Sequence, residues 1–218
     1  MSYETLPNGT TVFTDENNKI SFDALILSLF SKLKKFDRIL DVGTGCGIIP
    51  LKLYDEGLLG ETVALEISKD ACALVNQAIE QNRLSRLLAI CCDAREYMSD
   101  KKFDAVFCNP PYFSDGKQSE NEARRTARHE ISLTLRDAAV IARRSLKEGG
   151  RLYVCYRPER LDNIFSCFEE NELKIKRIRF VRRSSDSEPW LVLVEARYRG
   201  GTGVTVMPDL IVNNEMKG

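Results

Sequence analysis

The sequence predicts an α/β fold with a mostly parallel, seven-stranded sheet that ends in an antiparallel hairpin. From about residue 21, helical segments alternate with short apolar runs bounded by turn residues, a pattern typical of successive βαβ units. A glycine-rich turn joins the first apolar run to the helix after it. The last two apolar runs are joined by a polar turn, which places an antiparallel strand in the sheet. Together these features indicate a Rossmann-like architecture.

Each element has its own local signal. A first helix is expected from Ser21, whose hydroxyl can cap it, to about Lys35, and a later one opens at Pro158. Gly149-Gly150 is expected to end the helix before the fifth strand. The predicted strands cover residues 38–42, 62–67, 87–92, 103–108, 151–156, about 174–181 and about 191–198. The remaining predicted helices cover residues 46–56, 68 to about 84 and about 132–146.

Length and composition set the class of protein. The 218 residues are expected to form a single domain, 1–218, with an N-terminal extension over 1–20 and a tail over 200–218. Apolar residues (43%) and charged residues (29%) are balanced as in globular proteins. The start of the chain lacks a targeting pattern and the apolar stretch 24–30 is too short to span a bilayer, so we expect a cytoplasmic protein without a membrane partner.

Cysteine spacing and charge exclude further classes. Seven cysteines is an odd number and no pair has C-x-x-C spacing, so neither a disulfide framework nor a metal site is indicated. The formal net charge of zero argues against a uniformly basic nucleic-acid-binding surface. Basic side chains are nevertheless concentrated in 174–183 and at Arg124, Arg125 and Arg128. Local basic surface is therefore possible.

The turn after the first predicted strand reads Asp41-Val42-Gly43-Thr44-Gly45-Cys46-Gly47. Glycines let the backbone approach a ligand, and the next helix offers unpaired N–H groups. The G-x-G-x-G spacing differs from the dinucleotide pattern, and no phosphate-loop lysine follows. Glu66, at the end of the second strand, can accept from two ribose hydroxyls. Asp93, with the backbone of Ala94 beside it, can accept from an adenine amine. The alternative is a structural turn with two surface acids.

Asn109-Pro110-Pro111-Tyr112 follows the fourth predicted strand. An exocyclic amine is a weak nucleophile, so a site that methylates it must orient the nitrogen. The Asn109 side-chain oxygen and the Pro110 carbonyl can each accept one amine proton, and Tyr112 offers a flat face to an extruded base. The alternative is a turn that simply ends the strand. Cys108 ends a buried apolar strand and needs no role as a nucleophile.

These motifs resemble class I S-adenosylmethionine-dependent methyltransferases, and the finer pattern is similar to bacterial tRNA(Val) adenine-N6 methyltransferases. The finer resemblance rests on 21–27, 127–130, 157–161 and 189–195 in addition to the two motifs. It implies a monomer that binds S-adenosylmethionine and modifies adenine in RNA, in particular tRNA near the anticodon. By this resemblance the cofactor contacts are Asp23, Asp41, Gly43, Gly45, Gly47, Glu66, Asp93 and Ala94, and the base contacts are Asn109, Pro110 and Tyr112.

The segment 109–130 is predicted to be a substrate loop. Arg124, Arg125, Arg128 and His129 are its candidate contacts with RNA phosphate. For the three arginines the alternative is a solvated charged loop, since neighbouring glutamates partly offset them. His129 could equally be a polar residue at a helix start. Likewise, the alternating basic residues near Lys174 are also an ordinary protection of an edge strand.

Two other functions remain open from the sequence. A protein-glutamine N-methyltransferase of the release-factor type also uses N-P-P-Y, but such enzymes carry a helical N-terminal domain, and only about twenty residues precede the first helix here. A non-catalytic RNA-binding protein on a methyltransferase fold is the third possibility. Against it, every motif position that the chemistry needs is present.

Overall fold

The computed structural model describes residues 1–111 and 133–212. The helices are α1 (Phe22–Phe30), α2 (Ile48–Asp55), α3 (Lys69–Asn82), α4 (Leu135–Ser145) and α5 (Leu161–Glu170), with a short 3-10 turn at Pro158–Arg160. The strands are β1 (Ser2–Thr5), β2 (Thr11–Thr14), β3 (Ile39–Val42), β4 (Thr62–Glu66), β5 (Leu87–Cys91), β6 (Phe103–Cys108), β7 (Leu146–Tyr156), β8 (Leu173–Arg182), β9 (Leu191–Tyr198), β10 (Thr205–Val206) and β11 (Leu210–Ile211). Within these ranges no helix is long and apolar enough to cross a membrane.

The main sheet has the order β10-β8-β9-β7-β6-β3-β4-β5, with β11 also paired to β8. β3, β4, β5, β6 and β7 pair in parallel, and β9 runs antiparallel to both β7 and β8. The predicted α/β class and the C-terminal antiparallel hairpin are therefore confirmed. Beyond the seven predicted strands, the described part of the tail adds β10 and β11 alongside β8.

The sheet lies between two helical layers. Residues of α1 and α2 pack with Phe107 and Leu193 on one face. On the other face, residues of α4 and α5 pack with Val106 and Val194. Strands covered on both faces must be apolar on both sides, which is why they read as continuous apolar runs rather than alternating ones. The polar side chains therefore lie in the loops that follow the carboxyl ends of the strands.

The N-terminal extension forms a hairpin that local sequence signals did not predict. β1 and β2 pair antiparallel as a separate two-stranded sheet. The Asn82 side chain accepts from the Thr11 N–H at 2.8 Å and donates to the Thr11 carbonyl at 2.7 Å, while Asp55 accepts from the Asn8 and Thr10 N–H groups. These contacts join positions that are distant in the sequence. No local pattern encodes them.

The predicted end of α1 was wrong, and so was the predicted role of Gly149-Gly150 as a helix stop, although α4 ends within one residue of its predicted end near Leu146. α1 ends at Phe30 rather than near Lys35, because the Tyr153 hydroxyl and Arg151 hold the backbone of Lys32 in a non-helical path. α4 ends at Ser145, before Gly149-Gly150, and β7 begins at Leu146. The two glycines lie in an irregular stretch of β7, where pairing with β6 shifts register between Phe103 and Ala105. Gly149 has a φ of 73°, so the stretch uses glycine as a bulge rather than as a helix stop.

The basic run on β8 is largely engaged within the protein. Arg177 forms an ion pair with the buried Glu195, and its guanidinium lies 4.5 Å from the Phe30 ring centre. Arg182 pairs with Asp209, and Lys176 donates to the carbonyl oxygen of Thr202. β10 and β11 also cover the outer side of β8. These basic residues fasten the tail to the sheet, which favours a structural role over an RNA-binding one.

Candidate functional site at the carboxyl edge of the sheet

A cleft opens at the carboxyl ends of β3, β4, β5 and β6, where parallel strands leave their ligand-binding loops. Six of the predicted site residues line it together: Gly43, Glu66, Asp93, Ala94, Asn109 and Pro110. The other lining residues are Val42, Leu65, Ile67, Cys92, Pro111 and Leu133. The glycine-rich turn at 41–47 and the motif that starts at Asn109, which lie more than 60 residues apart in the sequence, thus share one cleft.

The glycine-rich turn continues the pairing of β3 with β4 past the end of the ladder. The N–H groups of Gly43 and Thr44 both donate to the Leu65 carbonyl, at 2.9 and 3.0 Å. Gly43, Gly45 and Gly47 have φ values of 73°, 56° and 80°, a region that side chains other than glycine rarely adopt. Of the three, only Gly43 lines the cleft, and a Cβ on Gly47 would lie 3.2 Å from Val75 on α3. Gly47 therefore serves close packing of α3.

Glu66 joins the glycine-rich turn to the start of α3. One carboxylate oxygen accepts from the Gly45 N–H at 2.8 Å and the other accepts from the Ser68 N–H at 3.0 Å. The side chain also lines the cleft. A carboxylate has about four acceptor positions, so these two backbone bonds leave capacity for donors on a ligand. The contacts hold the carboxylate in one orientation before any ligand binds.

Asp41 lies beneath the turn, 1% exposed. The Thr44 hydroxyl donates to one carboxylate oxygen at 2.5 Å, while the other is buried without a hydrogen-bond partner among the described residues. Burial, the main cause, raises the pKa of Asp41 to about 7; the negative charge of Glu66 adds to the rise and the Thr44 hydrogen bond opposes it. Asp41 is therefore a buried acid that titrates near neutral pH.

Asp93 is held by a neighbour that sequence reasoning did not single out. The Arg95 guanidinium donates to both Asp93 oxygens at 2.6–2.9 Å, and this bond lowers the pKa of Asp93 below its ordinary value. Arg144 of α4 donates to the Ala94 carbonyl at 2.6 Å. The two arginines fix the Asp93-Ala94 turn from both sides. The Asp-x-Arg spacing at 93–95 was the available signal for the first contact, and nothing local marks the second.

Asn109 lies at the end of β6, half-buried, followed by the buried Pro110. Its side-chain nitrogen donates to the Ser21 hydroxyl at 3.2 Å, and its side-chain oxygen accepts from the Cys155 thiol at 3.1 Å. The sequence singled out Ser21 as a helix cap and as part of the resemblance segment 21–27, without a contact to Asn109, and did not single out Cys155. Cys108 is fully buried, and burial raises the pKa of its thiol well above the ordinary value. A thiolate nucleophile at Cys108 is thereby disfavoured.

The remaining predicted residues lie elsewhere or outside the described ranges. Asp23 is half-exposed in the first turn of α1, and its carbonyl oxygen lies 3.9 Å from the Cys155 sulfur, but it does not line the cleft. Tyr112, Arg124, Arg125, Arg128 and His129 all lie outside the described residues.

The charge of the cleft limits the ligands that fit it. Among its described lining residues only Glu66 and Asp93 are ionisable acids, and none is a lysine or an arginine. Acceptors without cations favour a ligand that is rich in hydrogen-bond donors or positively charged, and disfavour a phosphate. Over residues 1–111 and 133–212 no group of three or more acidic, cysteine or histidine side chains is placed to hold a metal ion.

Comparison with known proteins places these observations in a family. The model of the methyltransferase small domain matches residues 5–165. A protein of Parabacteroides distasonis named tRNA1(Val) (adenine(37)-N6)-methyltransferase is 29% identical over 180 residues, which cover 81% of this chain and 76% of that protein. A Shewanella halifaxensis protein of the same name is 35% identical over 119 residues, which cover 53% of this chain and only about half (48%) of that relative.

The fold also matches solved structures. The crystal structure of a predicted O-methyltransferase from Agrobacterium tumefaciens superposes with a TM-score of 0.70 and covers 87% of each chain at 19% identity. At that identity the likeness supports the architecture alone.

Asp41 provides a test of the electrostatics of the turn. Because its pKa is raised from 3.8 to about 7 on folding, the folded state binds one more proton than the unfolded state between those pH values. Stability from this group is therefore present below pH 3.8 and is lost as pH rises to about 7. We expect ligand-free wild-type protein to lose about 1.4 kcal/mol per pH unit in that window relative to Asp41→Asn. Urea unfolding at pH 5, 6 and 7 measures this.

Asp15→Asn is the matched control for that experiment. Hydrogen bonds from Asn18 lower the pKa of Asp15, so its contribution has the opposite sign and is lost as pH falls. Parallel pH profiles for wild type and Asp41→Asn would contradict the assignment of a raised pKa to Asp41.

Proposed function

This chain belongs to the methyltransferase small domain family, and from that premise we propose that it transfers a methyl group from S-adenosylmethionine to the exocyclic N6 amine of an adenine in RNA. The observation that carries the proposal is that Asn109 and Pro110 share one cleft with Glu66 and Asp93. The names of the Parabacteroides and Shewanella relatives, which specify adenine 37 of a valine tRNA, support tRNA as the RNA. The location near the anticodon is part of the proposal and follows from the sequence resemblance. The acting species in this proposal is the monomer.

The cleft fits this cofactor by the chemistry of its acceptors. S-adenosylmethionine supplies an electrophilic methyl group on a positively charged sulfonium. Glu66 would accept from the ribose hydroxyls, and Asp93, with the Ala94 backbone, would hold the adenine amine. Both side chains are fixed in advance, Glu66 by two N–H groups and Asp93 by Arg95, so little ordering is needed when the cofactor binds. Gly43 lets the backbone approach the cofactor closely, and Gly45 contributes through its N–H, which holds Glu66.

In this proposal, the turn after β6 binds and orients the target amine. The Asn109 side-chain oxygen and the Pro110 carbonyl would accept hydrogen bonds from its two N–H groups, which draws the nitrogen toward tetrahedral geometry and aims its lone pair at the methyl group. The proline ring stiffens the chain that carries this carbonyl. No side chain needs to remove a proton before transfer, because the product nitrogen loses its proton afterwards. Tyr112, next in sequence, would stack on the extruded base.

Product identification tests the proposed function directly. The protein is incubated with methyl-labelled S-adenosylmethionine and, separately, with total RNA, DNA or protein from cells lacking the gene, followed by digestion and chromatography. We expect label in N6-methyladenosine from the tRNA fraction. Label in N-methylglutamine would instead assign the release-factor type of activity. Binding of RNA without transfer to any substrate would favour a non-catalytic protein on this fold.

Two substitutions separate the roles of the two motifs. Asn109→Ala removes an acceptor for the amine, so we expect kcat to fall about 10²-fold, as for a misplaced reacting group, with cofactor affinity unchanged.

Glu66→Ala leaves ribose hydroxyls without their acceptor, so cofactor affinity should fall about tenfold or more. Calorimetric titration and single-turnover kinetics measure the two quantities. Glu66→Gln, which keeps one acceptor oxygen, is the milder control; equal cofactor affinity in all three proteins would remove Glu66 from the site.

We further propose that the substrate loop 109–130 binds RNA. Its first three residues, 109–111, line the cleft, and so does Leu133, three residues after it, so both ends of the loop adjoin the proposed position of the target base. The segment carries Arg124, Arg125, Arg128 and His129, whose side chains suit phosphate contacts. Such contacts contribute a sequence-independent, salt-dependent term to affinity.

Replacing Arg124, Arg125 and Arg128 with alanine together tests this role. We expect weaker tRNA binding and a salt dependence whose logarithmic slope is reduced by about two to three, because each lost phosphate contact removes about 0.7–0.9. Cofactor affinity should not change. The control removes three lysines, Lys34, Lys35 and Lys101, which precede β3 and β6 at the opposite edge of the sheet. Equal slopes for the two triple variants would show a solvated charged loop instead.

A further inference from the structure

Asn109 is held at both ends of its amide by side chains from distant parts of the chain. Ser21 precedes α1, and its hydroxyl accepts from the Asn109 nitrogen at 3.2 Å while also capping the helix at the Ala24 N–H. Cys155 lies near the end of β7, and its thiol lies 3.1 Å from the Asn109 oxygen. The Asp23 carbonyl is farther from the same sulfur, at 3.9 Å, so the thiol proton points to Asn109.

This arrangement matters because the terminal torsion of an asparagine is broad. Without partners the amide plane samples many angles and can exchange its oxygen and nitrogen ends. Only the oxygen end can accept a hydrogen bond from the substrate amine. A donor at the oxygen and an acceptor at the nitrogen together select one orientation. The burial of Cys155, which is 0% exposed, keeps water from competing for the contact.

We propose that Cys155 and Ser21 are positioning residues that set the orientation of the Asn109 amide for methyl transfer. The inference rests on the proposed function for its kinetic consequence, but the contact itself exists without substrate. The competing interpretation is that Cys155 is only a small apolar residue that fills the core. The two interpretations differ in what loss of the thiol proton does, because a core-filling residue affects stability and not the chemical step.

The kinetic test compares Cys155→Ala with Cys155→Ser and with Cys108→Ala. Cys108 is the matched control, since it is a fully buried cysteine on the adjacent strand and has the same side chain to lose. We expect kcat for RNA methylation to fall about tenfold in Cys155→Ala. This decrease lies between the decrease expected from the loss of one hydrogen bond and the larger decrease expected when a reacting group is misplaced. KM for the cofactor should stay within about twofold, and Cys155→Ser should recover most of kcat because its hydroxyl restores a donor.

Ser21→Gly tests the other end of the amide. Glycine is among the residues that are well tolerated at an N-cap, so this variant removes the acceptor with little loss of the helix. The same fall in kcat at unchanged cofactor KM is expected. Equal kcat in Cys155→Ala, Ser21→Gly and Cys108→Ala, with wild-type activity on RNA intact, would overturn the positioning role and leave the proposed function standing.

An infrared measurement tests the contact independently of activity. The S–H stretching band of Cys155 is isolated as the difference between wild type and Cys155→Ala. If the thiol donates to Asn109, the band should move to higher frequency in Asn109→Ala, because a hydrogen bond weakens the S–H bond. If the wild-type protein fails to methylate RNA, a shifted band still supports the hydrogen bond from the Cys155 thiol to the Asn109 side-chain oxygen. An unshifted band overturns it whatever the activity.

Discussion

Parallel pairing of β3 with β4 and β6, and of β4 with β5, is the constraint on which the site depends. Parallel strands must return through a crossover, so all four end at the same edge of the sheet. Gly43, Glu66, Asp93 and Asn109 each follow or end one of these strands. The N–H and C=O groups of the strands are hydrogen-bonded within the sheet. The polar groups just past the strand ends are therefore the first that are free of the ladder and can face a ligand. Slipping one strand by a residue would move its polar group out of the cleft.

The carboxylates of the two acids that line the cleft, Glu66 and Asp93, are held by different hydrogen-bond donors. Glu66 takes two backbone N–H groups, which couple its orientation to the glycine-rich turn and to the start of α3. Asp93 takes a guanidinium, which preserves its charge near neutral pH. Asp41, in contrast, has one buried oxygen without a partner in the described part of the chain. The site therefore combines one buried acid that has an unsatisfied oxygen with two acids whose oxygens are hydrogen-bonded.

The elements with strong local signals were predicted, and those made by distant contacts were not. β3 to β9 could be read from apolar runs, and Ser21, Ser68 and the glycines marked the starts of helices. The cleft could also be predicted, because each motif directly follows a strand and parallel strands all end at the same edge of the sheet. The β1–β2 hairpin depends on Asn82 and Asp55, and the early end of α1 depends on Tyr153. Arg144 and Cys155 escaped notice for the same reason, since each acts on a residue more than 40 positions away.

The hydrogen bonds on Asn109 also bear on when the protein becomes competent during synthesis. The Asn109–Ser21 and Asn109–Cys155 bonds span 88 and 46 residues. Contacts of such separation require large loops to close and form slowly relative to local helices. A nascent chain that ends before β7 contains both Asn109 and Ser21 but lacks Cys155, so only the nitrogen end of the Asn109 amide can find its partner. The oxygen end of the amide gains its donor only when β7, which is translated after Asn109, has paired with β6.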